Sequence, residues 1–305
     1  MVVWSTIEAS CPICKNRLRL REVGSGFALG QDSDLFVRMK GKHIIQAEIH
    51  TCHQCRYSGF ADDFLRDVAP ETRIRFLRDV APQLVDEGEV RLEAPTPRKL
   101  ATRKGAATKA ESQKEDQDSG DTESAKRGVK KSRKGLARKR RTTAETRSNR
   151  AIPLHPCKRT PMPHVQYHWA AKTGEVLGLS PHEQGERLLR AYWCLRISPS
   201  SKLPARSLKQ LRKRYLTEAI RKFRQGLRNQ KDPNVVYLVA ELCRRNGNFL
   251  LATGYFRRYF ERGNGADEYL RQASEKLFLV AKEKLSTELA MEDVLYDPAP
   301  EKDDE

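Results

Sequence analysis

The chain has 305 residues, of which 38% are apolar and 32% charged, with a net charge of +18. Globular chains typically run at about 45–50% apolar and about 25% charged, so the cores are lean or part of the chain does not fold. No apolar run approaches the ~18 residues of a membrane span, and the start, Met1 to Thr6, lacks the basic-then-apolar order of a secretory signal.

The charge is uneven along the chain: residues 1–90 carry a net −1, residues 91–150 a net +11 and residues 151–305 a net +8. These differences divide the chain into a head (1–90), a basic linker (91–155), a helical tail (156–287) and an acidic, disordered end (288–305). The fold class expected is α+β multidomain.

In the head, Leu35–Lys40 reads as a strand, Gly41-Lys42 as a turn and His43–Thr51 as a second strand. Ile45, Ala47 and Ile49 alternate there with Ile44, Gln46, Glu48 and His50. A trailing helix follows. Phe-Leu-Arg-Asp-Val-Ala-Pro occurs at 64–70 and again at 76–82, a repeat too brief for a solenoid.

From about Ala94 to Ile152 bulky apolar residues are nearly absent. Such a segment cannot offset a chain entropy of roughly 1–2 kcal/mol per residue, and it is expected to be disordered. It contains the dense run Lys130, Lys131, Arg133, Lys134, Arg138, Lys139, Arg140 and Arg141. Phosphate neutralisation by this run would give non-specific nucleic-acid binding with steep salt dependence. No aromatic residue interleaves with it, so base stacking is not expected.

The tail reads as helices. Ser180, Pro181 and Glu183 form a capping box with proline at the first helical position, followed by Leu188, Leu189, Tyr192, Trp193 and Leu195. A helix over 204–227 places Leu208, Leu211, Tyr215, Ala219, Phe223 and Leu227 on one stripe. Asp232-Pro233 starts another helix, Gly247 breaks it, and a last one covers 266–285. The basic residues Arg206, Lys209, Arg212, Lys213, Arg214, Arg221, Lys222 and Arg224 decorate the long helix; such a face is usually solvated, or it docks an acidic partner.

Four of the seven cysteines form two pairs, Cys11-Pro-Ile-Cys14 and Cys52-His-Gln-Cys55. A Cys-x-x-Cys turn aims two thiolates at one ion, and two turns complete a tetrahedral site. Four soft ligands suit one structural zinc. The 37 residues between Cys14 and Cys52 exceed the common spacing of about 15–20, but they accommodate a hairpin. Redox thiols and an iron–sulfur cluster are the rival readings. His43, His50 and His53 read as strand or surface residues rather than ligands. Cys194 and Cys243 read as small core residues, and Cys157 has no partner at ligand spacing. Asp32 and Asp34 invite a hard-cation reading, but they lack the glycine and glutamate of a calcium loop, and a polar turn is preferred.

Cys11–Cys14, Gln31-Asp-Ser-Asp-Leu35 and Cys52–Phe60 together resemble a bacterial family of uncharacterised proteins. Its members carry Cys-Pro-x-Cys, an Arg-Asp-x-Asp-Phe-like element and Cys-Pro-x-Cys-Gly-Tyr. Tyr192-Trp193-Cys194 and Glu241–Phe249 resemble its helical half. The resemblance covers roughly 1–65 and 165–285; it implies zinc binding and little about activity. Lys15 and Arg56 depart from it, standing where glycine commonly follows each cysteine pair. Residues 236–260 also resemble one tetratricopeptide unit, with Ala240, Gly247, Phe249, Ala252 and Phe256 at its small, turn and aromatic positions.

No phosphate loop, nucleophile elbow, zincin motif or dinucleotide fingerprint occurs. The expectation is therefore a non-enzymatic, cytoplasmic zinc-binding adaptor whose tail binds a protein partner, with no membrane contact. Alternatives are a nucleic-acid-binding protein and a thiol oxidoreductase.

Overall fold

Arginine and leucine alternate along residues 17–21, so Leu18 and Leu20 turn inward while Arg17, Arg19 and Arg21 stay in water. This pattern builds β2 (Arg17–Ser25), which pairs antiparallel with β1 (Val3–Ser10), Ile7 opposite Leu20. This hairpin lies outside the strands expected from the sequence. The structure, a computed structural model, describes residues 3–40, 43–84, 154, 156, 157, 159–197, 203–228, 232–262 and 267–295. Two further antiparallel pairs follow: β3 (Ala28–Gln31) with β4 (Val37–Met39), and β5 (His50–Thr51) with β6 (Ser58–Gly59).

The strand expected over 43–51 does not form. Ile44–Gln46 make a single 3-10 turn, and only His50 and Thr51 enter a ladder. The isoleucines divide between two surroundings, which explains the difference. Ile44 lies against Gly26, where an added Cβ would come within 2.6 Å of it. Ile49 is buried in the helical core, with Ile45 packed against the same cluster. The strand expected over 35–40 shortens to Val37–Met39, because Leu35 takes a left-handed φ of 65°.

The trailing helix is broken into α1 (Ala61–Leu65), α2 (Pro70–Arg75), one π turn (Phe76–Val80) and one 3-10 turn (Ala81–Gln83). The repeated heptapeptide has a packing role. Phe64 and Phe76, its two first residues, meet the Tyr57 ring edge-on at 5.0 and 6.0 Å.

The C-terminal part is helical: α3 (Pro163–Val176), α4 (Pro181–Ile197), α5 (Ala205–Gly226), α6 (Pro233–Arg245), α7 (Phe249–Arg262), α8 (Glu268–Lys282) and α9 (Met291–Leu295). The capping box is present. The Ser180 N–H donates to Glu183 Oε2 at 2.8 Å, and the Glu183 N–H donates to Ser180 Oγ at 3.2 Å. Asp232 accepts from the Asn234 N–H at 2.9 Å to start α6. Cys194 and Cys243 are buried among the helices, and burial pushes the Cys243 thiol up to about 12. His168 stacks on Tyr215 at 5.3 Å, and burial pulls its imidazole down to about 4. The end read as disordered from 288 is in fact folded as far as 295: Met291 and Val294 of α9 are buried in the helical core, because α9 is amphipathic despite its charge.

Head and helices, read from the sequence as separate units, share their cores within residues 1–91 and 152–305. Ile49 of the head enters the helical cluster. Val165 and Trp169 of α3 enter the head cluster beside Cys11, Cys52, Tyr57 and Phe76. A head this small cannot bury its own apolar face, so α3 covers it. The linker expected over 91–155, including its dense basic run, falls almost entirely outside the described residues. Among the described residues, no helix is long and apolar enough to cross a membrane.

Candidate metal centre

Each Cys-x-x-Cys pair forms the turn of a hairpin, the first between β1 and β2, the second between β5 and β6. The two turns share one hydrogen-bond pattern. The Cys11 N–H donates to the Asn16 carbonyl at 2.8 Å, and the Lys15 N–H to the Cys11 carbonyl at 2.9 Å. In the second turn the Cys52 N–H donates to the Tyr57 carbonyl and the Arg56 N–H to the Cys52 carbonyl, both at 2.8 Å.

Lys15 and Arg56 take left-handed φ values of 62° and 64°. This is the conformation that glycine adopts freely, and a residue with a Cβ loses roughly 1–2 kcal/mol in it. Arg56 has compensating contacts: its guanidinium donates to the Leu84 carbonyl and lies 5.9 Å from the Trp169 ring. The Lys15 side chain is exposed. Lys15 already carries this cost, so Lys15→Gly is expected to leave stability equal or higher, and Lys15→Val, with its branched Cβ, to lower it further. Thermal melts of both variants check this, and a clear loss in Lys15→Gly would contradict it.

The turns bring four sulfurs together. Cys11 Sγ lies 3.6 Å from Cys55 Sγ, Cys14 Sγ lies 3.5 Å from Cys52 Sγ, and all four sulfurs fall within 4.8 Å of one another. A tetrahedral ion with metal–sulfur bonds of about 2.3 Å requires sulfur–sulfur edges of about 3.8 Å, so the quartet fits such an ion. Cys11, Cys52 and Cys55 are buried and Cys14 half-buried, leaving no open coordination position of the catalytic kind. Hydrogen bonds within the quartet, foremost those with Cys11, pull the Cys14 and Cys52 thiols down. The same network pushes Cys11 and Cys55 up. A bound cation deprotonates all four.

The centre rests on an aromatic floor. Tyr57 is fully buried between Phe64 and Phe76, and its hydroxyl donates to the Asp63 carbonyl at 3.0 Å. Neither cysteine pair opens a helix, so the helix-terminus field that activates redox thiols is absent at both.

The three histidines lie outside the quartet. His43 stacks on Phe36 at 5.4 Å, His50 Nε2 lies 2.8 Å from the Arg21 carbonyl, and His53 Nε2 lies 3.4 Å from Thr160 Oγ1. Cys157 is half-buried, its N–H donating to the His53 carbonyl at 2.7 Å.

Asp32 and Asp34 lie in a turn, as expected, but the turn is buried and ionic. Arg196 pairs with both carboxylates, and Asp34 Oδ2 also accepts from Trp193 Nε1 at 2.9 Å and faces Arg245 Nη1 at 3.1 Å. Between them, Ser33 Oγ donates to Glu241 Oε1 at 2.6 Å. Glu241 in turn accepts from Arg244 Nε and Arg245 Nε, each at 2.7 Å. Arg244 continues to the Leu285 and Thr287 carbonyls, both at 2.8 Å. Guanidinium groups hold the acids, as a hard cation would in a calcium loop. A second buried pair, Asp63–Arg187 at 2.8 Å, joins α1 to α4. Arg187, Arg196, Glu241, Arg244 and Arg245 carry no such expectation from the sequence. The available signal was that segments 31–35 and 241–249 both carry the resemblance.

The run Lys130, Lys131, Arg133, Lys134, Arg138, Lys139, Arg140 and Arg141 lies outside the described residues. On α5, Arg212 turns inward to the Leu195 carbonyl at 2.6 Å, and Lys222 is buried within 3.4 Å of Glu175. Arg206, Lys209, Lys213, Arg214, Arg221 and Arg224 are exposed.

Residues 5–78 match the model of a family described as an uncharacterized protein conserved in bacteria (DUF2225). The matched stretch holds both cysteine pairs, Asp32, Asp34 and Asp63. Searches of curated proteins and of solved structures found no match to the chain.

Proposed function

We propose that the protein is a non-enzymatic adaptor of the cytoplasm, in which Cys11, Cys14, Cys52 and Cys55 hold one structural zinc ion and the helical part binds a protein partner. The observation that carries this reading is the convergence of four cysteine sulfurs on a closed, largely buried tetrahedron. Zinc suits four thiolates, and closed coordination suits structure rather than catalysis. The partner surface is the tetratricopeptide-like hairpin α6–α7. Ala240, Ala252 and Phe256 are buried there, Gly247 takes a φ of 77° in the turn, and Leu250 is 87% exposed.

Metal content of the untagged protein, by mass spectrometry, tests the first half, with one zinc per chain expected. Iron, or no metal, would overturn it. Retention of a discrete protein by the immobilised full chain, weakened by Leu250→Asp, tests the second. Retention at background level would remove the adaptor reading.

The net charge of +11 over residues 91–150 favours a second reading, non-specific nucleic-acid binding by the run Lys130–Arg141. A salt series decides it, since absence of binding at low salt excludes it.

A further inference from the structure

Four guanidinium groups meet where α5 ends. Arg221, Arg224 and Arg228 recur every three or four residues, so they share one face of α5 and its C-terminal extension, and Arg258 reaches the same cleft from α7. The cleft has a volume of about 650 Å³, with Leu227 and the Tyr255 ring as its apolar walls. Arg224 Nε donates to Tyr255 Oη at 3.1 Å, which fixes that guanidinium at the rim. Arg258 Nε is buried without a hydrogen-bond partner.

Among the described residues, no carboxylate lines this cleft. Elsewhere the most deeply buried arginines are paired with acids, as in Arg187–Asp63, Arg196–Asp34 and Arg244–Glu241. Among the described residues, none of Arg221, Arg224, Arg228 and Arg258 lies within ion-pair distance of an acid. Like charges gathered between low-dielectric walls raise the local potential and draw in an anion. Guanidinium forks match the oxygens of phosphate two at a time. One phosphate monoester brings a charge of about −2, so four cations call for at least two phosphoryl groups.

We propose that this cleft binds a ligand bearing two or more phosphoryl groups, supplied by a free nucleoside polyphosphate or by successive phosphates of a nucleic-acid backbone. The site is distinct in sequence from the linker run and goes beyond the adaptor reading.

The test is calorimetry on the full-length protein at low salt, with inorganic tripolyphosphate as the probe. Saturable binding with one site per chain is expected. The double variant Arg221→Gln, Arg228→Gln changes two exposed side chains, so its melting temperature should match the parent while its affinity falls about tenfold or more. A linker variant with Lys130, Lys131, Arg133 and Lys134 changed to Gln should keep the parent affinity. Adenosine triphosphate and a short oligothymidylate distinguish the sources: whichever binds more tightly than tripolyphosphate, and loses that binding in the cleft variant, is the ligand class. If neither exceeds tripolyphosphate, the phosphates alone are recognised. Absence of saturable binding, equal affinity in the cleft variant, or loss only in the linker variant would each overturn the proposal.

Discussion

The double variant Cys52→Ser, Cys55→Ser is expected to lose its metal and to unfold the head. Structural zinc contributes on the order of 10–16 kcal/mol in small peptides, comparable to the whole stability of an ordinary domain, about 5–15 kcal/mol. The local structure has little else to hold it. β5 and β6 are two residues each, and a lone two-stranded hairpin is marginal in water. The damage should extend beyond the head, because Val165 and Trp169 of α3 pack into the same core as Cys11 and Cys52. The measurement pairs metal content with a circular-dichroism melt, and Cys194→Ala serves as the control that keeps its zinc. A metal-free double variant melting within a few degrees of the parent would refute a structural role for the centre.

Glu241→Gln should carry the next largest effect, a loss of about 3–5 kcal/mol at pH 7. It removes the charge that faces Arg244 and Arg245 in a fully buried site. The pH dependence has a definite sign. Burial alone would push the Glu241 carboxyl up, but hydrogen bonds from Arg244 and the charge of Arg245 outweigh it and hold the group below its usual range. The folded-state pKa therefore lies below the unfolded value of about 4.3. The stabilisation is complete above that value and is lost as pH falls through the folded pKa. The parent and the variant should differ most near neutral pH and converge in acid. Urea melts at several pH values measure this; equal stability at pH 7 would show that the network relaxes around the missing charge. Replacing all its members with apolar residues could be neutral, since buried ion pairs are costly to desolvate. What the network provides is position: it ties the turn at 32–34 to α6, and Arg244 to the chain at 285–287.

Local chemistry made much of the helical part legible. The capping residues Ser180, Glu183 and Asp232 act on amides two or three positions away, so their effect is written in a few consecutive residues. The stripe from Leu208 to Leu227 is likewise a matter of spacing, and Ala205–Gly226 forms the helix it implies. The cysteine pairs announced two ligand turns by the same logic. Alternation along 43–51 misled because Ile44 packs beside Gly26 while Ile45 and Ile49 pack on the helical core, and period alone cannot say which faces will be covered.

Local pattern was enough to read the helices that start at Ser180 and Asp232 with their caps, the long α5, the excess of cations and the two thiol pairs. The three-dimensional path was needed to show that the two pairs, 37 residues apart, bring their sulfurs within 4.8 Å of one another and that Lys15 and Arg56 adopt left-handed backbone at those turns. It also decided that Arg244 and Arg245, which by composition belong on a solvated face, are buried. Acids offset the charge of these two buried arginines, and the Ser33–Glu241 contact joining the two halves of the network spans 208 residues of sequence. Partners at that distance are set by the path of the whole chain, which no local pattern encodes.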